Sequence, residues 1–127
     1  MSEPIHETSS QPEIPEKFQK ILGRLKKDTA QADLDPEVEL KKNVKTNLTG
    51  LGVVEIWASR GKKEDADQLM RLGLEKIKSF YPENVPLIDS AISESIAELK
   101  EKHGEDNLFA KIIEENRGVL HKDDSSQ

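Results

Sequence analysis

Residues Glu64–Tyr81, EDADQLMRLGLEKIKSFY, carry the clearest helical pattern in this chain of 127 residues. At 100° per residue eight positions of this stretch, each apolar or glycine, fall within one broad arc of a helix. They are Ala66, Leu69, Met70, Gly73, Leu74, Ile77, Phe80 and Tyr81. Pro82 follows directly and stops the helix. Because a helix with one apolar face is marginal alone, the stretch predicts one member of a packed helical bundle.

Two further helical segments follow towards the C-terminus. Residues Val85–His103 carry an apolar stripe, and Gly104 stands where a helix commonly ends. The stripe consists of Leu87, Ile88, Ala91, Ile92, Ile96 and Leu99. A shorter helix is predicted over Asp106–Asn116, with Leu108, Phe109, Ile112 and Ile113 as its apolar side chains. Both segments therefore predict amphipathic helices.

Two helices are predicted before Glu64. The first begins near Pro15, whose fixed φ suits the first helical turn. Its apolar stripe is Phe18, Ile21, Leu22 and Leu25, and it fades over Thr29–Asp33. The second begins at Asp35–Pro36, because an aspartate cap followed by proline is a typical start signal.

The second helix would continue to Ser59 through Leu51–Ala58, LGVVEIWA, which is apolar nearly all round. Its β-branched residues also permit a strand, but the chain offers no second strand to pair with it, so a helix is the better interpretation. An all-round apolar helix is expected to be the central element that the others surround. Gly50 and Gly52 weaken a helix, so a kink or break is expected there.

The predicted fold class is therefore all-α: a single compact bundle of about five helices. With 34% hydrophobic and 35% charged residues, part of the chain must lie outside the core. The predicted domain covers residues 14–120. Residues 1–13 and 121–127 are expected to be disordered tails, because they offer too few apolar side chains to offset their ordering entropy.

Several classes of function are disfavoured by composition. The chain has no cysteine, so disulfides, thiolate zinc sites and a cysteine nucleophile are excluded. Its three histidines, His6, His103 and His121, lack metal-ligand spacing, so no metal and no cofactor is expected. No apolar run is long enough to span a membrane, and the polar start Met1–Glu13 is unlike a secretory signal. A cytoplasmic location is the prediction.

Glu55 and Trp57 form a candidate buried polar site. In a continuous helix Glu55 would share a face with Val44, Leu48 and Leu51, and a buried carboxylate must be paired, hydrogen-bonded or protonated. The favoured interpretation is that a break at the glycines turns Glu55 towards the surface, or that a lysine or arginine pairs with it. The alternative is that Glu55 is an acid tuned for catalysis, or a recognition group, beside Trp57. Trp57 is predicted to be in the core, and would be a partner anchor if it proved exposed.

Charge is distributed unevenly within the net −6. Residues 14–63 carry eleven Lys/Arg and seven Asp/Glu. A basic ridge is predicted on the first helix, formed by Lys17, Lys20, Arg24 and Lys27. An acidic ridge is predicted on the helix Val85–His103, formed by Glu94, Glu98 and Glu101. Such stripes commonly mark solvated faces, and they also suit association with another protein.

These features predict a non-enzymatic helical interaction protein, such as an adaptor, regulator or assembly subunit. Its expected partner is another protein or a second copy of itself, with no membrane involved. The alternative is a nucleic-acid-associated accessory protein that uses the basic half, residues 14–63. The alternative ranks lower because the sequence pI is about 5.1 and no known nucleic-acid-binding motif accompanies the lysines.

Overall fold

Six α-helices and one 3₁₀ helix form the regular structure of residues 14–27 and 35–121, the part of the chain that the computed structural model describes. They are α1 (Glu16–Leu22), α2 (Pro36–Thr49), α3 (Val53–Ser59), α4 (Lys63–Phe80), α5 (Val85–His103), α6 (Leu108–Asn116) and the 3₁₀ helix Arg117–His121. The predicted all-α fold class is confirmed. The weakly patterned Thr29–Asp33 and the tails predicted to be disordered, residues 1–13 and 121–127, lie outside the described residues, except that His121 ends the 3₁₀ helix.

Capping residues account for several helix ends; Asp35 and Gly104 were predicted in this role, whereas Asn107 was predicted to lie inside a helix. Asp35 caps α2, because its Oδ1 accepts a hydrogen bond from the backbone N–H of Glu37 at 2.8 Å. Asn107 caps α6 in the same way, accepting from the N–H of Ala110 at 2.8 Å. Gly104 ends α5 with φ of 102°, a conformation that glycine adopts without steric cost.

The helix predicted from Pro36 to Ser59 is broken at Gly50–Gly52. Across the break the backbone N–H groups of Leu51, Gly52, Val54 and Glu55 bond to the carbonyl three residues earlier. This tighter, 3₁₀-type pattern satisfies the backbone while it separates α2 from α3. The glycines therefore divide one predicted helix into two.

The centre of the bundle is α4 and not Leu51–Ala58, so that prediction was wrong. Helix α4 packs against α1, α2, α3, α6 and the 3₁₀ helix. In α3 only Val54 is fully buried, and Ile56 is 49% exposed. The physical reason is the break: once α3 is a separate helix of seven residues, it covers one side of α4 and leaves its own outer side in solvent.

Candidate functional site

The N-terminal segment, residues 14–27, lies on the rest of the bundle much as a bound peptide lies on its receptor. Its apolar side chains Phe18, Leu22 and Leu25 are all buried. Phe18 is fully buried, and its ring centroid lies 5.6 Å from that of Trp57 in α3. Helix α1 itself has only seven residues, too few to be stable alone. The segment therefore depends on the surface beneath it for its order.

Two buried asparagines of α2 hold the backbone of this segment. The side chain of Asn47 accepts a hydrogen bond from the N–H of Lys26 at 3.1 Å and donates one to the carbonyl of the same residue at 3.0 Å. Asn43 donates a second bond to that carbonyl, also at 3.0 Å. The hydroxyl of Tyr81 donates to Oδ1 of Asn43 at 2.5 Å. We call Asn43, Asn47 and Tyr81 the backbone clamp.

Three lysines make four further contacts that fix the segment. The ammonium of Lys76 in α4 donates to the carbonyl of Leu22 at 2.6 Å, and so satisfies a C-terminal carbonyl of α1. Lys17 forms an ion pair with Asp65 at 2.8 Å and lies 5.1 Å from the ring centroid of Trp57. Lys27 lies over the ring of Tyr81 at 5.2 Å.

The predicted basic ridge does not exist as one stripe on a helix. Lys17 and Lys20 lie on α1, but Arg24 and Lys27 follow its end at Leu22. The helix stops because the chain turns at Gly23–Arg24 and then runs into the backbone clamp at Lys26. Lys17 and Lys27 contact the bundle, whereas Lys20 and Arg24 are exposed and form no ion pair with another described residue.

The predicted acidic ridge is largely neutralised by α2. Glu94 of α5 pairs with Lys41 at 2.5 Å and with Lys45 at 2.9 Å, and Glu98 pairs with Lys45 at 3.3 Å. The hydrogen bonds that Lys41 and Lys45 donate lower the pKa of Glu94, and the bond that Lys45 donates to Glu94 raises the pKa of Lys45. Glu101 stays exposed without an ion pair among the described residues. The two helices are thus joined by the charges that were predicted to face a partner.

An open groove runs beside these ion pairs, which we call the α2–α5 groove. Its wider half has a volume of about 440 Å³ and begins at Val38, which is 56% exposed. The apolar residues that line its narrower half, about 200 Å³, and that we call its floor are the half-buried Leu99 and the buried Leu48, Phe109 and Ile113. Both halves share Lys45 and Thr49, and Lys42 and Lys102 lie on the walls without an ion pair among the described residues. The groove therefore combines an apolar floor with uncompensated positive charge.

Glu55 occupies a half-buried position at the junction of α3 and α6. Its Oε2 accepts a hydrogen bond from Nδ2 of Asn107 at 3.4 Å. Asn107 in turn caps α6, so Glu55 orients a capping side chain. No hydrogen bond or ion pair joins Glu55 to a second titratable side chain among residues 14–27 and 35–121. The arrangement suits a structural role.

Trp57 is half-buried at the edge of the core. It is less buried than the predicted core position requires, and less exposed than a partner anchor would be. One side of its ring faces Phe18, and the ammonium of Lys17 lies near it. It does not share a site with Glu55: its contacts are to α1, whereas those of Glu55 are to the start of α6.

The clamp residues were missed by the sequence analysis, although a signal was present. Asn43 and Asn47 are spaced i, i+4 and fall among the buried residues Leu40, Val44 and Leu48 of α2. Buried amides require partners, so their position indicated a polar contact. That partner is a backbone group, which has no signature in the sequence.

No group of three His, Asp or Glu side chains that could hold a metal ion occurs in the described part of the chain. Among the same residues, no helix is both long and apolar enough to cross a lipid bilayer. Comparison with models of protein families, with curated proteins and with solved structures finds no match for this chain.

Proposed function

We propose that this protein is a non-enzymatic helical interaction module that binds another protein through the α2–α5 groove. The observation that carries the proposal is the open, partly apolar groove with Val38 exposed at one end. Exposed apolar surface rimmed by polar residues is typical of protein-binding sites. The cytoplasm, predicted from the sequence, is the proposed compartment, which fractionation of the cells would test.

The chemistry of the groove specifies the partner segment. The floor formed by Leu48, Leu99 and Phe109 accepts an apolar side chain of the partner. Lys42 and Lys102 favour carboxylates beside that side chain, because they form no ion pair within the described residues and the groove lining holds four lysines against two glutamates. We therefore expect an acidic segment that carries at least one large apolar residue.

Nucleic-acid binding by residues 14–63 receives less support. Four lysines of this half form ion pairs with carboxylates of the same chain: Lys17, Lys41, Lys45 and Lys63. A phosphate backbone would have to displace those carboxylates, so each paired lysine contributes less to binding. The exposed cations that remain are scattered over three places: the N-terminal segment, the α2–α5 groove, and Arg60 and Lys62 between α3 and α4.

An enzymatic function through Glu55 is also less supported. General acid–base chemistry needs a carboxylate aimed at a substrate site, with a second group to complete the proton transfer. The contact of Glu55 is instead the capping amide of α6. We therefore assign Glu55 to the structure of the bundle.

The test compares partners captured by wild type and by Lys42→Glu/Lys102→Glu, which reverses the two uncompensated charges of the groove. We expect the specific partner to be lost, with at least a tenfold drop in quantitative mass spectrometry. The matched control is Lys20→Glu/Arg24→Glu, which makes the same change of charge on the N-terminal segment.

The two variants separate the possible outcomes. Loss in the groove variant alone supports the proposal. Loss of the partner in the control variant alone would place its binding site on the N-terminal segment. An unchanged list of captured partners from both variants contradicts a charged binding site. A nuclease-sensitive partner whose binding falls steeply with salt would favour the nucleic-acid alternative.

A further inference from the structure

The surface beneath the N-terminal segment is a complete binding site for a peptide. It supplies an apolar bed for Phe18, Leu22 and Leu25, all of which are buried. It supplies the backbone clamp, which binds both the N–H and the carbonyl of Lys26. It also supplies Lys76 to the carbonyl of Leu22. Each of these contacts is non-covalent and would form equally well with the same segment of another copy.

The only covalent connection between the segment and this site runs through residues 28–34. We propose that the site accepts residues 14–27 of a second copy of this chain, so that two copies form a dimer by reciprocal exchange of their N-terminal segments. The two-fold arrangement refills both sites with the contacts already described and needs no new interface. This inference is independent of the α2–α5 groove.

The length of the connection determines which form is populated. Tethering through a short linker gives an effective concentration on the order of millimolar. We therefore expect wild type to be monomeric at micromolar concentration and to exchange segments as its concentration approaches the millimolar range. A chain that cannot reach its own site should exchange at much lower concentration.

The geometry of α2 shows how to make such a chain. Lys26 is held between Asn43 and Asn47, whose midpoint is ten residues beyond Asp35, or about 15 Å along the helix. Deletion of residues 28–34 would leave two Cα–Cα steps between Lys26 and Asp35, a span of at most about 7.6 Å. The shortened chain cannot place its segment in its own site.

The experiment measures mass by analytical ultracentrifugation for wild type and for the deletion chain, with helix content followed by circular dichroism. The deletion chain should be a helical dimer at 20 µM, with a dimer dissociation constant at least about 100-fold below that of wild type. Wild type should show a dimer fraction that grows between 0.1 and 2 mM. A helical deletion chain that remains monomeric would overturn the proposal, and so would wild type that remains monomeric at 2 mM.

A second measurement uses Trp57, the only tryptophan, as a reporter of occupancy. One chain carries Phe18→Ser/Leu25→Ser and keeps an intact site. The other carries Asn43→Ala/Asn47→Ala with Trp57→Phe and keeps an intact segment. Mixing them should give a 1:1 heterodimer and change the fluorescence of Trp57, because Phe18 and Lys17 return to its ring.

The control for mixing is the second chain with Phe18→Ser added, which should leave the fluorescence unchanged. Where a mutant chain does not fold, the concentration series of wild type decides alone, since it needs no substitution. Folded partners that give no heterodimer, or a fluorescence change that is independent of Phe18, would contradict the exchange.

Discussion

Gly73 is a position in the core where α4 packs directly against the side chain of Leu51, in the turn between α2 and α3. It is buried on α4, and a Cβ added there would lie 2.6 and 2.8 Å from the two Cδ atoms of Leu51. Alanine would favour the helix by up to about 1 kcal/mol. Overpacking costs about 1–3 kcal/mol, because the fully buried side chain of Leu51 would have to shift to relieve the clash. Gly73→Ala should therefore lower the free energy of unfolding by about 1 kcal/mol, measured by urea denaturation.

The matched control for this prediction is Gly118→Ala. Gly118 lies in the 3₁₀ helix, and an added Cβ would meet no atom within 4 Å. Its effect should stay within about 0.5 kcal/mol. A double-mutant cycle with Leu51→Ala should show coupling with Gly73→Ala, because the shorter side chain removes the clash. Additive losses, or a stabilised Gly73→Ala, would contradict the close approach.

At the scale of elements, the ion pairs between α2 and α5 predict a dependence of stability on pH. Lys41 and Lys45 lower the pKa of Glu94 below its ordinary 4.5 in the folded state. The stability that Glu94 contributes is therefore fully present above about pH 4.5, and it is lost as the pH falls through the folded-state pKa of Glu94. Glu94→Gln should be less stable than wild type at pH 7, by at most about 1 kcal/mol because the pair is exposed and screened.

The measurement is the free energy of unfolding of both proteins from pH 7 to pH 3. The two curves should converge as pH falls below 4.5, and added salt should reduce their separation at pH 7. Glu101→Gln is the control, because it removes the same charge from the same helix without breaking an ion pair among the described residues. If both variants follow the same curve, the pairing does not stabilise the packing of α2 on α5.

The helices could be predicted from the sequence largely because their signals are local. The Asp35 cap, the Pro82 stop and Gly104 each act on a neighbouring turn, and each lies next to an observed helix end. The end of α1 was missed because Leu25 keeps the helical spacing while it belongs to a different backbone conformation. The spacing of apolar residues indicates which side chains are buried. It does not reveal a turn when the apolar residue after the turn is buried as well.

At the scale of the whole molecule, the central helix and the candidate site could not be predicted, because both depend on how distant segments meet. An apolar segment such as Leu51–Ala58 can be surrounded or peripheral, depending on where the chain turns. Lys45 lies in the basic half, residues 14–63, and Glu94 in the predicted acidic ridge, but no spacing in the sequence pairs residues on two different helices. The backbone clamp likewise joins Asn43 and Asn47 of α2 to the backbone of Lys26, which lies 17 and 21 residues earlier in the chain.

This organisation predicts a hierarchy of amide hydrogen exchange within the native protein. The buried centre of α4, from Leu69 to Ile77, should exchange only through global unfolding, because opening it exposes the core shared with five other elements. Amides of α1 should exchange through a smaller opening that releases residues 14–27, with a weaker dependence on urea. Asn47→Ala should speed exchange in α1 at least tenfold more than in α4, because it removes two bonds to Lys26. Equal free energies and urea slopes of amide exchange in α1 and α4 would mean that the N-terminal segment leaves its site only when the whole bundle unfolds. Swapping of N-terminal segments between copies would then require global unfolding.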